Sequence, residues 1–182
     1  MARTIIGLTG RKQSGKTTAA EHLLKSGFVR LSFADGIRDM LLALFLKLDY
    51  EEYDVLDMLN DKERYIAPLG KTYRQMMQTL GTEWGRELIH PDLWVMAARA
   101  QIEMLGNYNC VFDDVRFENE AALIRELGGL IIHIDRDGLA TDTHTSESGI
   151  SVHPADMFII NHRSLNSFLI DVALIVAGHI HG

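Results

Sequence analysis

The chain has 182 residues, 47% of them hydrophobic, which suits one globular domain with a single sizeable core, and its formal net charge of −7 argues against a protein that coats nucleic acid. Cys110 is the only cysteine, so no internal disulfide and no cysteine-based metal site can form, which fits a reducing cytoplasm. Apolar runs such as residues 130–134 and 157–160 are far too short to cross a bilayer, and the first residues show no secretory h-region. The expectation is a soluble cytoplasmic protein that engages neither membrane nor nucleic acid polymer, with a homodimer left open.

In chain order, an apolar, β-branched run over residues 4–8 reads as the first strand. Directly after it, Gly10-Arg11-Lys12-Gln13-Ser14-Gly15-Lys16-Thr17 fits G-x-x-x-x-G-K-[ST] without departure and opens a helix through Thr18, Ala19, Ala20, Leu23 and Leu24. Strand, glycine loop and helix form the context a phosphate cradle needs. Gly10 and Gly15 remove Cβ clashes, while backbone N–H groups and the helix N-terminus face the anion. Lys16 supplies a charge at the β and γ oxygens of ATP, and the Thr17 hydroxyl can ligate Mg²⁺.

Residues 28–33 read as a second strand, and Ile37, Met40, Leu41, Leu44 and Leu48 recur at helical spacing. Residues 49–108 hold no strand pattern, only helical material rich in charge, Met and Leu. This reads as a helical insertion at the ligand-binding edge of the sheet, carrying the acceptor site. Residues 110–112 form a third strand ending in Asp113 and Asp114, two candidates for a carboxylate on the magnesium side. Asp113 is assigned that place, although strand alternation alone does not choose between them. A helix from Glu118 stops at Gly128-Gly129, and residues 130–134 are the fourth strand. The polar stretch 136–154 reads as a lid, with Arg136 at its start placed to reach a donor phosphate. Residues 157–160 are the fifth strand, and Ser164 caps a last helix through Leu165, Phe168, Leu169, Val172 and Val176.

Strands alternating with helices specify an α/β fold: a five-stranded parallel sheet covered on both faces, in the three-layer arrangement of P-loop kinases. The whole chain, 1–182, is expected to be one such domain with its insertion and lid. No guanine-binding N-K-x-D is present, since Asn161-His162-Arg163-Ser164 lacks both Lys and Asp, and no transporter-type LSGGQ occurs. The basic residues are 12 Arg against 6 Lys, a bias suited to bidentate recognition of phosphate. A phosphorylated acceptor is already an anionic nucleophile, so positioning and charge neutralisation suffice for transfer. The eight histidines show no paired ligand spacing, and His133 reads as a strand residue satisfied within the core.

Several segments together resemble the bacteriophage-type deoxynucleoside monophosphate kinases. They are the loop 10–18, Ser32-Phe-Ala-Asp-Gly-Ile-Arg38, Arg74-Gln-Met-Met-Gln-Thr-Leu-Gly-Thr82, Asp92-Leu-Trp-Val95, Asp113-Asp-Val-Arg-Phe-Glu-Asn-Glu-Ala121, and Asp142-Thr-His-Thr-Ser-Glu147 with Gly149-Ile150. The resemblance implies an adenylate-kinase-like core and Mg²⁺-dependent transfer from ATP to deoxynucleoside monophosphates. It places Lys12, Gln13, Ser14, Gly15, Lys16, Thr17 and Thr18 on the ATP phosphates, with Thr143 in the lid. It turns Lys12, Asp35, Ile37, Arg38, Arg74, Gly81, Thr82, Trp94, Asp114, Arg116 and Glu120 toward the acceptor. Lys16, Arg38, Arg116 and Arg136 are the cations expected to carry catalysis, with Thr17 and Asp113 at the metal. Read from the residues alone, surface ion pairing is the alternative for Arg38 and Arg74, and Trp94 could equally stack on a base or pack in the core. A kinase of another phosphorylated acceptor, of the dephospho-coenzyme A or phosphomevalonate type, and a non-catalytic nucleotide sensor are the alternative readings.

Overall fold

Strand β1 (Ile5–Thr9) is buried along its whole length, because it lies at the centre of a five-stranded parallel sheet with helices over both faces. The computed structural model describes residues 3–136 and 150–181. They divide into two compact units, Met1–Phe33 with Ala98–Gly182, and Ala34–Ala97.

In the first unit, α1 (Lys16–Leu24) and β2 (Val29–Leu31) follow β1. After the second unit the chain returns through α5 (Leu93–Met104), within which the boundary falls, to β5 (Cys110–Phe112), α6 (Glu118–Glu126), β6 (Leu130–Asp135), β7 (Met157–Ile160) and α7 (Leu165–His181). The sheet order is β2-β5-β1-β6-β7, with Ile6 beside Val111 and Leu130 in register. All five expected strands are present, each within a few residues of its expected bounds.

Alternation along β1 builds the layers. Ile6 and Leu8 pack with Val111, Ile132 and Ile134 beneath Ala19, Ala20 and Leu23 of α1 and Phe168, Val172 and Val176 of α7. On the opposite face a Cβ on Gly7 would come within 2.6 Å of Ile124 Cδ1 in α6, so α6 lies directly against β1. Helix α7 holds five β-branched residues, Ile170, Val172, Ile175, Val176 and Ile180, each disfavouring helix by up to roughly 0.7 kcal/mol. Burying Phe168, Val172 and Val176 at four-residue spacing contributes roughly 1.5–3 kcal/mol apiece, so packing decides. Ser164 Oγ accepts from Ser167 N and caps the helix, as its place in the sequence suggests.

The second unit contains α2 (Asp35–Lys47), α3 (Glu52–Asn60), a short antiparallel hairpin of β3 (Tyr65–Ile66) and β4 (Lys71–Thr72), and α4 (Tyr73–Gln78) running into a π-helix over Thr79–Ile89. The hairpin corrects the expectation that residues 49–108 hold no strand. Gly70, at φ +63°, closes its turn after Pro68. The unit also begins at Ala34, so α2 belongs to it. Its core joins Ile37, Leu41 and Phe45 of α2 to Val55, Met58, Ile66, Tyr73 and Trp94. Thr72 and Gln75 form a reciprocal capping box at the start of α4.

Candidate active site

The loop between β1 and α1 has the backbone of an anion cradle. Gly10 and Gly15 sit at φ +141° and +117°, and Gln13 is one of two non-glycine residues at positive φ among the described residues. A Cβ on Gly10 would lie 2.0 Å from Ile134 O, so the turn passes too close to β6 for any side chain. Within the loop, Ser14 Oγ is fully buried with no partner among the described residues. A buried hydroxyl left unmatched costs stability unless something completes it, and a phosphate oxygen supplies the acceptor it lacks.

Lys16 Nζ donates to Gly10 O at 2.5 Å and Arg11 O at 2.7 Å, which folds the ammonium over the mouth of the loop. Burial lowers its pKa to about 8, helped by the nearby Arg116 guanidinium and opposed by Asp113 and Asp114. Two cations held close against desolvation mark a place built for negative charge. Beside them lies an open pocket of ≈ 350 Å³ lined by Gln13, Gly15, Lys16, Thr17, Thr18, Arg136 and, from the end of β7 and the start of α7, Asn161, Arg163, Leu165 and Phe168. Arg136 and Thr17 are exposed in it. Lys12 is exposed on the loop, and Thr143 lies outside the described residues.

The two strand-end aspartates are already engaged. Asp113 accepts on both oxygens from Arg30 of β2, at 3.2 and 2.6 Å. Asp114 accepts from Ser32 Oγ and, at 3.1 Å, from Phe33 N. The charge of Asp113, the carboxylate expected at the metal, is matched here by a guanidinium. Glu120 is 2% exposed, and its Oε2 accepts from Arg116 N at 2.7 Å and Phe117 N at 3.1 Å. It therefore caps α6 and fixes the backbone of Arg116.

The remaining expected acceptor residues lie in the second unit. Arg38 pairs with Asp35 at 2.7 Å, and Arg74 pairs with Glu63. Ile37, Gly81 and Trp94 are buried there, while Thr82 is half-buried. Trp94 donates from Nε1 to Gly81 O at 2.7 Å, and a Cβ on Gly85 would fall 2.6 Å from its ring. The indole is thus a core residue that locks the π-helix. Tyr73 is fully buried, its hydroxyl has no partner among the described residues, and burial raises its pKa against the charge of Arg38.

The family model for deoxynucleotide monophosphate kinases matches residues 49–172. A mimivirus protein (Acanthamoeba polyphaga mimivirus), provisionally named a deoxynucleotide monophosphate kinase, is 36% identical over 179 residues, covering 90% of this chain and 91% of its own length. The chain belongs to the deoxynucleotide monophosphate kinase family. It is accordingly a phosphotransferase by family. The deoxynucleoside-5′-monophosphate kinase of Escherichia phage T5 is 32% identical over 59% of this chain, and the deoxynucleotide monophosphate kinase of Enterobacteria phage T4 is 31% identical over 50%. Those matches take in 44% and 40% of the phage enzymes, which extend well beyond the shared region. An unliganded sugar kinase from Janibacter sp. HTCC2649 aligns over 97% of this chain and 98% of its own, at 17% identity and a TM-score of 0.43, too slight a likeness to argue from. The family-model match begins at residue 49, after the phosphate loop.

Sequence reasoning missed four residues of the site. Arg30 and Ser32 hold the aspartates, and only strand pairing between β2 and β5 reveals it. Asn161 and Arg163 line the pocket, yet their segment was weighed only as a failed guanine motif. Its position directly after the last strand was the available signal.

Proposed function

We propose that this protein transfers the γ-phosphoryl group of ATP to deoxynucleoside 5′-monophosphates, giving the diphosphates and ADP. The observation that carries the reading is the Lys16 ammonium, lowered to about 8 by burial and by Arg116, over a glycine cradle with an unmatched Ser14 hydroxyl. The names of the matched relatives supply the acceptor class.

The donor phosphates would lie in the loop 10–17, against the Ser14 hydroxyl and the first N–H groups of α1. Binding a polyanion there draws Lys16 away from the Gly10 and Arg11 carbonyls and restores its full charge. Arg136 and Arg163 line the same pocket and face the remaining donor oxygens. Arg116 neutralises charge on the transferring group, held in place by the Glu120 cap behind its backbone. Arg38 and Arg74 are assigned to the acceptor phosphate, where they would exchange Asp35 and Glu63 for phosphate oxygens. No strong base is required, because the acceptor oxygen is ionised before it attacks.

The donor set also fits Mg²⁺ of the kind shared with a nucleotide. Such an ion takes one or two protein oxygens and fills its sphere with phosphate and water. Among the described residues no group of three or more acidic, histidine or cysteine side chains could cage a metal, which agrees with a shared ion. Thr17 offers its hydroxyl directly, and Asp113 and Asp114 contribute charge from behind Arg30 and Ser32. When bound beside Thr17, Mg²⁺ would supply positive charge against the donor phosphates. No described helix is long and apolar enough to cross a membrane, and we place the reaction in the cytoplasm.

The reading is tested by incubating the protein with ATP, Mg²⁺ and, one at a time, the four deoxynucleoside monophosphates, dephospho-coenzyme A and phosphomevalonate, with ADP release coupled to a spectroscopic signal. Turnover with at least one of them supports it. Turnover confined to dephospho-coenzyme A or phosphomevalonate would replace it.

A further inference from the structure

The segment after β7 reaches back to the phosphate loop. Asn161 Nδ2 donates to Ser14 O at 2.9 Å, across 147 positions of sequence. A carbonyl can only accept, so the amide NH₂ must be the group turned toward Ser14. Asn161 is itself held at the sheet, where its backbone N donates to Asp135 O at 2.7 Å, beside the β6–β7 pair Asp135 and Ile160. The clamp is therefore mounted on the sheet rather than on a free loop.

In a trans peptide the C=O and N–H point in opposite directions. Fixing Ser14 O on Asn161 therefore aims the Gly15 N–H the other way, away from Asn161. Gly15 is confined on the same side by its neighbours. A Cβ there would fall 2.7 Å from Asn161 Nδ2 and 3.1 Å from the Phe168 ring. With φ at +117° and no side chain, this residue would otherwise be free to let the peptide turn over.

We infer that Asn161 is a positioning residue for the donor nucleotide: its bond to Ser14 O holds the Gly15 N–H in the orientation that receives a donor phosphate. The inference deepens the proposed kinase reading and rests on it for the identity of the anion. Without the Asn161 donor, Ser14 O is left to find water, and the Ser14–Gly15 peptide can flip. ATP then loses one aimed donor, while a ligand lacking phosphates loses nothing.

The test is isothermal titration of ATP and of adenosine, both with Mg²⁺ and without acceptor, into the full-length wild type, Asn161→Ala and Asn161→Asp. ATP affinity should fall about tenfold in Asn161→Ala, as for one lost charge-assisted hydrogen bond, and further in Asn161→Asp. Adenosine affinity should stay within about twofold of wild type. In the wild type itself, the Gly15 amide proton should move downfield when ATP binds, a readout independent of how the variants fold. ATP affinity unchanged in Asn161→Ala, equal losses for ATP and adenosine, or a Gly15 amide indifferent to ATP would each overturn the inference. ATP binding is read here without acceptor, so these outcomes are separate from the acceptor panel, on which the kinase reading stands or falls.

Discussion

Raising the pH should switch off donor binding before it harms the fold, and Lys16 sets where this happens. In the free protein its ammonium titrates at about 8, because burial and Arg116 lower it from 10.5 and Asp113 with Asp114 only partly compensate. With that value, about nine-tenths of the molecules carry the charge at pH 7, half at pH 8 and about one-tenth at pH 9. If the charged form is the one that binds, kcat/KM for ATP should be level below about pH 7 and approach a tenfold loss per unit above about pH 8. In the ATP complex the phosphates favour the ammonium, so kcat at saturating ATP should hold to higher pH than kcat/KM does. Stability moves the opposite way. An unfolded lysine keeps its proton up to about 10.5, so from about 8 to 10.5 the unfolded chain binds more protons, and this group's contribution favours the folded state as pH rises. The assay is ADP release at limiting ATP across pH 6.5–10, with Lys16→Arg as the control whose charge does not titrate. A wild-type kcat/KM profile level to pH 10, or an equally steep limb in Lys16→Arg, would refute the assignment of that limb to Lys16.

Arg116→Ala should move the alkaline limb to higher pH, because it removes a cation that lowers Lys16, while weakening monophosphate use more than ATP binding; a limb that stays put would mean the two charges are not coupled. Gly85→Ala places a Cβ 2.6 Å from the Trp94 ring and should destabilise the protein by about 1–3 kcal/mol in denaturant titration, whereas an unchanged midpoint would contradict the packing. Asp156 is held by Arg125 Nε at 3.1 Å and Nη2 at 2.7 Å, by His133 Nε2 at 2.9 Å and by His153 N. Burial pushes its carboxyl up, but these bonds bring it down to about 2. Asp156→Ala should cost about 3 kcal/mol at pH 7, the low end for a broken buried pair because the Arg125 side chain stays 21% exposed. The contribution of Asp156 is present above about pH 3.8 and is lost as pH falls toward 2, so wild type and variant should converge in acid.

The parts readable in advance were those written in short stretches of chain. The loop 10–17 carries its own spacing, and the apolar runs around Ile6, Val111, Ile132 and Ile159 each announce a strand. Ser164 and Gly128 mark a helix start and a helix stop. What remained hidden depends on residues far apart in sequence. Nothing local to Asp113 says that Arg30 will neutralise it, and nothing near Asn161 says that it reaches Ser14. The β3–β4 hairpin was missed because two-residue strands are too short to show alternation. Trp94 could be placed in the core only once Gly36 and Gly85 were seen to make room for it and Gly81 O to accept its indole N–H. Glu120 was legible as a helix cap three residues into α6, but the absence of a Ser or Thr at Phe117 masked the motif.

The most direct test of the central claim is a product analysis of the wild-type protein with ATP, Mg²⁺ and a single deoxynucleoside monophosphate. Formation of the deoxynucleoside diphosphate, equal in amount to the ADP released and abolished in a folded Lys16→Ala protein, is the expected result. No diphosphate from any of the four deoxynucleoside monophosphates, in a protein that still binds ATP, would contradict it.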